Sequence, residues 1–186
     1  MLELVFALGV VATISAVAVA TADRGVEQAR AVGAARHLAA RLRFTRLDAV
    51  QRNTHVAIKV DASSGQLTWY ADGNGDGVSS RDIEDGIDTA IGAPETLGAQ
   101  FPGVVFGALP DVPAADTGST PPGSDPVRLG ASDMASFSPL GSASSGTLYL
   151  LAGRLQVAVR LYGETGRIRT FQFEPRTGQW MSLAER

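Results

Sequence analysis

The sequence predicts an α+β protein in which a long N-terminal hydrophobic α-helix packs on an antiparallel β-sheet head. Three observations carry this prediction. Leu4–Ala22 runs for nineteen residues without a charge. Ala31, Ala35, Leu38, Leu42, Thr45 and Ala49 then recur at alternating steps of four and three, forming one stripe along a helix. After Asn53 the hydrophobic period shortens from about 3.6 residues to about 2, the alternation of half-buried strands.

The 186 residues are 45% hydrophobic and 19% charged, with a formal net charge of −3 from 16 basic and 19 acidic side chains. Bulk charge therefore gives no reason to expect a nucleic-acid binder. Cysteine is absent, which excludes disulfides, thiolate metal sites and a cysteine nucleophile. With two histidines, His37 and His55, the composition gives no support to a histidine-rich metal site. No Gly-x-Ser-x-Gly, His-Glu-x-x-His, phosphate-loop or dinucleotide pattern is present, so an enzyme is the least supported class.

The uncharged run reaches the roughly 18 residues needed to span a hydrocarbon core. Read from its residues, it fits a cleaved secretory signal, a plain membrane anchor, or a helix in which an acid near the start has a task. Ala18-Val19-Ala20 and Ala20-Thr21-Ala22 are plausible cleavage sites, but the preceding residues carry Glu3 and no Lys or Arg. The helix pattern then continues through Asp23–Gln51, which is free of proline and rich in Ala, Arg and Leu. Seven arginines between Arg24 and Arg52 fall in two angular groups, as expected of a solvated face. His37 reads as a helix-surface residue. The predicted organisation is residues 1–22 as a transmembrane half-helix, 23–53 as its amphipathic half, and 54–186 as a β-rich head.

Within the head, Thr54–Val60, Gln66–Tyr70, Val104–Phe106, Thr147–Leu151, Leu155–Tyr162 and Arg167–Phe173 read as strands. Asp61–Gly65 and Gly163–Gly166 read as hairpin turns. Residues 107–146 hold six of the nine prolines and are expected to form a long, partly disordered insertion with a short apolar segment at Met134–Phe137.

Two sets of residues carry a family resemblance. Met1-Leu2-Glu3-Leu4-Val5-Phe6, followed by the apolar run, resembles the start of a mature type IV pilin or pseudopilin, with Glu3 matching that superfamily's glutamate. In this register the chain begins about two residues inside the mature sequence, so a basic leader ending in Gly is expected upstream. Ala135–Gly141, Gly146-Thr147-Leu148 and Thr165–Arg169 resemble motifs of the GspH/FimT family of minor pseudopilins and minor pilins.

The resemblance implies a pilin-like fold and a structural subunit of a type II secretion pseudopilus, placed near its tip, that helps export folded proteins from the periplasm. It also implies a single-pass inner-membrane anchor, a periplasmic head, and partnership with other minor and major pseudopilins and with the inner-membrane assembly platform. Glu3 would set register by meeting a neighbouring subunit's amino terminus. A carboxylate in a membrane segment needs a partner of this kind, because leaving it alone costs a few kcal/mol. The alternative within the family is a FimT-like minor pilin with DNA uptake as a task. A different class is a secreted calcium-binding β-domain.

Two further sites are candidates. Asp72, Asn74 and Asp76 alternate, Gly77 follows for a sharp turn, Val78 offers a carbonyl, and Asp82 stands where a closing carboxylate is needed. This pattern suits Ca²⁺, although position 12 is Ile83 where a bidentate Glu is expected. No cofactor is required by the resemblance. Arg167 and Arg169 share one side of a strand and are the candidate contacts for nucleic acid. That side would also hold Phe171 and Phe173, so the pair is expected either beyond the core's edge or next to a bulge.

Overall fold

In a computed structural model of the protein, the described residues are 2–116 and 120–183. Within the first helix, side chains are described at Glu3, Phe6 and from residue 25 onward.

Helix α1 (Leu2–Arg52) is one unbroken element of 51 residues, about 77 Å long at the usual rise. It ends at Asn53, whose φ of 52° is the left-handed conformation that asparagine tolerates at a helix end. The N–H of Thr54 reaches back to the carbonyl of Ala49 at 3.3 Å. All six residues of the predicted stripe are buried, and Ala34 and Ala39 widen it. Small residues let the helix axis lie close to the strands, while Leu38 and Leu42 fill the remaining space. Each of these leucines contributes about 1.5–3 kcal/mol by burial.

The head contains two antiparallel sheets where one was expected. The first comprises β1 (Val56–Asp61), β2 (Gln66–Ala71), β3 (Thr89–Ala90), β4 (Glu95–Thr96) and β7 (Met134–Phe137). The second comprises β5 (Val104–Phe106), β6 (Val127–Arg128), β8 (Gly146–Ala152), β9 (Leu155–Tyr162), β10 (Arg167–Glu174) and β11 (Gln179–Ser182). Helix α1 packs on both sheets. Val56, Ile58 and Leu67 of the first sheet and Leu148, Leu150, Val157, Val159 and Leu161 of the second enclose its buried stripe. Two short helices, α2 (Ser80–Glu84) and α3 (Leu97–Gln100), complete the described elements.

Two described parts of the predicted insertion pack on the sheets. Met134–Phe137 joins the first sheet as β7, pairing Val56 with Phe137 and Ile58 with Ala135. Upstream, residues 107–116 form a strap across the outer face of the second sheet. Gln156, 1% exposed, holds one end of this strap. Its Nε2 donates to the carbonyl of Gly107 at 3.0 Å and its Oε1 accepts from the N–H of Leu109 at 2.8 Å. The indole N–H of Trp180 donates to the carbonyl of Pro113 at 3.0 Å. The Tyr149 hydroxyl accepts from the N–H of Ala115, and burial raises the pKa of that phenol. Proline and aspartate content suggested a loose chain; buried Val112 and these side-chain clamps order it instead.

Candidate functional site

Glu3 lies in the first turn of α1 and its side chain is exposed. Its carboxylate is therefore placed where the helix dipole favours negative charge. Among the described residues, no helix is long and apolar enough to cross a membrane. Within the membrane span predicted over Leu4–Ala22, Phe6 alone has a described side chain, and it is exposed; the rest of the span's side chains lie outside the described ones.

The acidic loop is built around two carboxylates, only one of which the sequence singled out. The Asp72 side chain is fully enclosed. Its Oδ1 accepts from the N–H groups of Asn74 and Gly75 at 3.0 and 2.7 Å, and its Oδ2 from that of Gly77 at 2.9 Å. His55 Nδ1 stands 3.3 Å from the same Oδ2. Burial pushes the Asp72 carboxyl up, but the N–H groups of Gly75, Gly77 and Asn74, together with the His55 ring, outweigh it and lower its pKa. Asp88, 2% exposed, anchors the other side of the loop, accepting from the N–H groups of Gly73 and Ser79. Asp82 caps α2 with Ser79, whose hydroxyl accepts from the Asp82 N–H while donating to its carboxylate.

Of the predicted calcium ligands Asp72, Asn74, Asp76, Val78 and Asp82, the three carboxylates have different surroundings. Asp72 faces main-chain donors, Asp82 serves the helix cap, and Asp76 is exposed. Among the described residues, no group of three or more His, Cys, Asp or Glu side chains is placed to hold a metal ion.

Arg167 and Arg169 are both exposed on β10, and the pairing of β10 with β9 runs in register from Arg167 to Gln172 without a bulge. The aromatic conflict resolves differently from the expectation. The Arg167, Arg169, Phe171 and Phe173 side is the outer face of the second sheet. Ile168 points into the core instead. Phe173 stacks obliquely on Trp180 at 5.4 Å, as does Tyr149 at 5.9 Å, so this face carries its own aromatic cluster.

The register adds residues that sequence reasoning did not connect. Arg169 lies directly opposite Arg160, Arg160 opposite Thr147, and Thr147 opposite Arg128. Arg128 and Arg160 line a cleft of about 450 Å³ together with Thr147, Tyr162 and Asp116. The only available signal was the outward position of Arg160 in its alternating strand; its cross-strand neighbours depend on pairings that one sequence does not specify. His37, expected at the surface, is partly buried against Phe101 with ring centroids 5.6 Å apart. Burial and then Arg41 lower its pKa.

No protein-family model matches the chain, and no curated protein matches it. Among solved structures, the chain is similar to the minor pseudopilin EpsH from the type 2 secretion system of Vibrio cholerae. The two are 14% identical with a TM-score of 0.48, over 77% of this chain and 97% of that one. A second structure of the same pseudopilin gives 13% identity and a TM-score of 0.41, covering 83% of this chain and 93% of that chain.

Proposed function

We propose that the chain is a minor pseudopilin of a type II secretion system, a structural subunit of the pseudopilus. The observation that carries this reading is the position of Glu3 in the first turn of a helix that continues unbroken to the residues clamped on the head. In this reading the uncharged half of α1 anchors the subunit in the inner membrane and the head lies in the periplasm. Glu3 meets the amino terminus of a neighbouring subunit during assembly, an interaction strengthened by the low dielectric around it. The partners are other minor and major pseudopilins and the assembly platform, and the subunit's task is to help move folded proteins across the outer membrane.

The test is Glu3→Ala in cells that depend on the secretion system. The variant is expected to reach the inner membrane yet fail to cross-link into the pseudopilus, leaving exported proteins in the periplasm. Undiminished incorporation and secretion would remove the assembly role. A mature amino terminus at Thr21 or Asp23 would instead make the run a cleaved signal.

The second reading is a FimT-like minor pilin of a type IV pilus, favoured by the exposure of Arg167 and Arg169. The assembly ATPase with which the protein copurifies separates the two. The third is a secreted β-domain that binds calcium at the Asp72–Asp82 loop. Thermal unfolding with and without EGTA decides it, because an ion bound only by the folded state raises the midpoint. An unchanged midpoint at millimolar calcium removes that reading.

A further inference from the structure

We propose that the arginine row on the outer face of the second sheet is a docking site for an acidic polypeptide segment, with Arg167 and Arg169 receiving its carboxylates. Arg128, Arg160 and Arg169 lie in one cross-strand line with Thr147 between the first two. At the usual spacing between strands the line is roughly 14 Å long. Arg167 follows two residues along β10, opposite Tyr162 and on the same face.

The inboard half of this row already holds polypeptide. Arg160 Nη1 donates to the carbonyl of Ala115 at 3.3 Å, with the carboxylate of Asp116 at 3.8 Å from Nη2. Arg128 donates to the carbonyl and hydroxyl of Thr120 at 2.6 and 2.9 Å, with Asp125 at 3.8 Å. The carbonyls of Ala115 and Thr120 and the carboxylates of Asp116 and Asp125 are therefore what these guanidinium groups meet within the chain itself.

The outboard half is open. Arg167 and Arg169 are exposed, and among the described residues neither side chain has a hydrogen bond or ion pair. Among the described residues, β11 pairs with Phe171–Glu174, beyond the two arginines on β10. Planar guanidinium forks take carboxylates or phosphates in bidentate fashion. The charge balance favours the carboxylate of a peptide over a nucleic-acid backbone. Asp116 and Asp125 offset the inboard arginines, and Arg167 and Arg169 add two exposed charges on β10, whereas duplex DNA presents a charge about every 1.7 Å along its axis. A short acidic segment lying across β10 and β9 extends the arrangement the strap begins. This inference goes beyond the assembly role of Glu3 and is tested separately from it.

The experiment is fluorescence anisotropy of a labelled peptide of alternating Asp and Ala, titrated with the full chain in zwitterionic detergent. The same titration uses a peptide with Asn in place of Asp and a single-stranded oligonucleotide of equal charge. The Asp peptide is expected to bind in a salt-sensitive manner and the Asn peptide to fail. Arg167→Gln/Arg169→Gln is expected to weaken the Asp peptide about tenfold or more without moving the unfolding midpoint, since both side chains are exposed. Equal binding by the double variant overturns the proposal. Binding of the oligonucleotide as tight as that of the Asp peptide, lost in the same variant, also overturns it and makes the row a nucleic-acid site.

Discussion

Arg46 Nε, on the helix, donates to the carbonyl of Gly141 in the turn after β7 at 2.8 Å. That turn is the Phe-Ser-Pro-Leu-Gly segment at 137–141, and a second turn closes on the same guanidinium from β10. A Cβ on Gly166 would stand 2.7 Å from both Arg46 Nε and the Gly141 carbonyl oxygen. Gly166 also has a φ of 59°, which a side chain would strain. Two motifs about twenty-five residues apart in sequence thus meet at one arginine of the helix, and a carbonyl that would otherwise lack a partner is satisfied.

Gly166→Ala is accordingly expected to destabilise the protein by about 1–3 kcal/mol, from backbone strain and displacement of Arg46 together. Arg46→Met removes the donor but keeps most of the packing stem, and is expected to cost about 1–3 kcal/mol. Denaturant unfolding measures both. Their effects should be less than additive in the double variant, because each disrupts the same contact.

Acid should weaken the loop held by Asp72. The folded-state pKa of this carboxyl is lowered, below the roughly 3.9 of an unfolded chain. The stabilisation is therefore fully present above that unfolded value and disappears as pH falls through the folded one. Asp72→Asn is expected to lose stability at neutral pH and to show a shallower loss below about pH 4 than the parent. Asp88→Asn, which weakens two charge-assisted bonds to Gly73 and Ser79, is expected to cost about 1–3 kcal/mol. Thermal unfolding across a pH series reads both.

What the sequence disclosed and what it withheld follow from the range of the interactions. The stripe Ala31 to Ala49 was legible because a helix repeats locally, and burial of all six residues follows from that period. β9 was legible because Leu155–Tyr162 alternates cleanly. The strap was not legible, because its order comes from Gln156 and Trp180, about fifty and seventy residues away. The arginine row was hidden for the same reason: Arg169 and Arg160 become neighbours only through strand register. Asp72 was found by its spacing, but its role depends on burial beside Asp88 and His55, which a loop pattern does not encode. The β3, β4 and β6 strands have two residues each, too few to show a period.

The join between helix and first sheet is polar as well as apolar, and this makes it testable. Trp69 Nε1 donates to Thr45 Oγ1 at 2.9 Å, and that hydroxyl donates in turn to the carbonyl of Arg41. Arg41 lies over the Trp69 ring at 5.0 Å and pairs with Glu95. Thr45→Val keeps the volume but leaves a partly buried indole N–H without its acceptor, so a loss of about 1–3 kcal/mol is expected. Thr45→Ser should retain most of the stability. Equilibrium unfolding of the two variants separates the hydrogen bond from the packing.

Gln156 is the residue on which the order of the strap depends. Its amide is buried and uses both ends: Oε1 accepts from Leu109, and Nε2 donates to Gly107 and to Leu150. Gln156→Leu fills the same space with an apolar side chain, stranding the Leu109 N–H and the Gly107 carbonyl under the strap. Such stranded groups cost about 1–3 kcal/mol each when they stay buried. The strap, held otherwise by Val112, Pro113 and Ala115, can relieve that cost by lifting into water. The expected outcome is therefore local: amide exchange at residues 109–115 accelerates, whereas exchange in β8 and β9 changes little. Trp180, whose N–H meets the carbonyl of Pro113, should shift its fluorescence as the strap lifts. Uniform acceleration across the second sheet would instead mean that Gln156 supports the sheet itself rather than the strap above it.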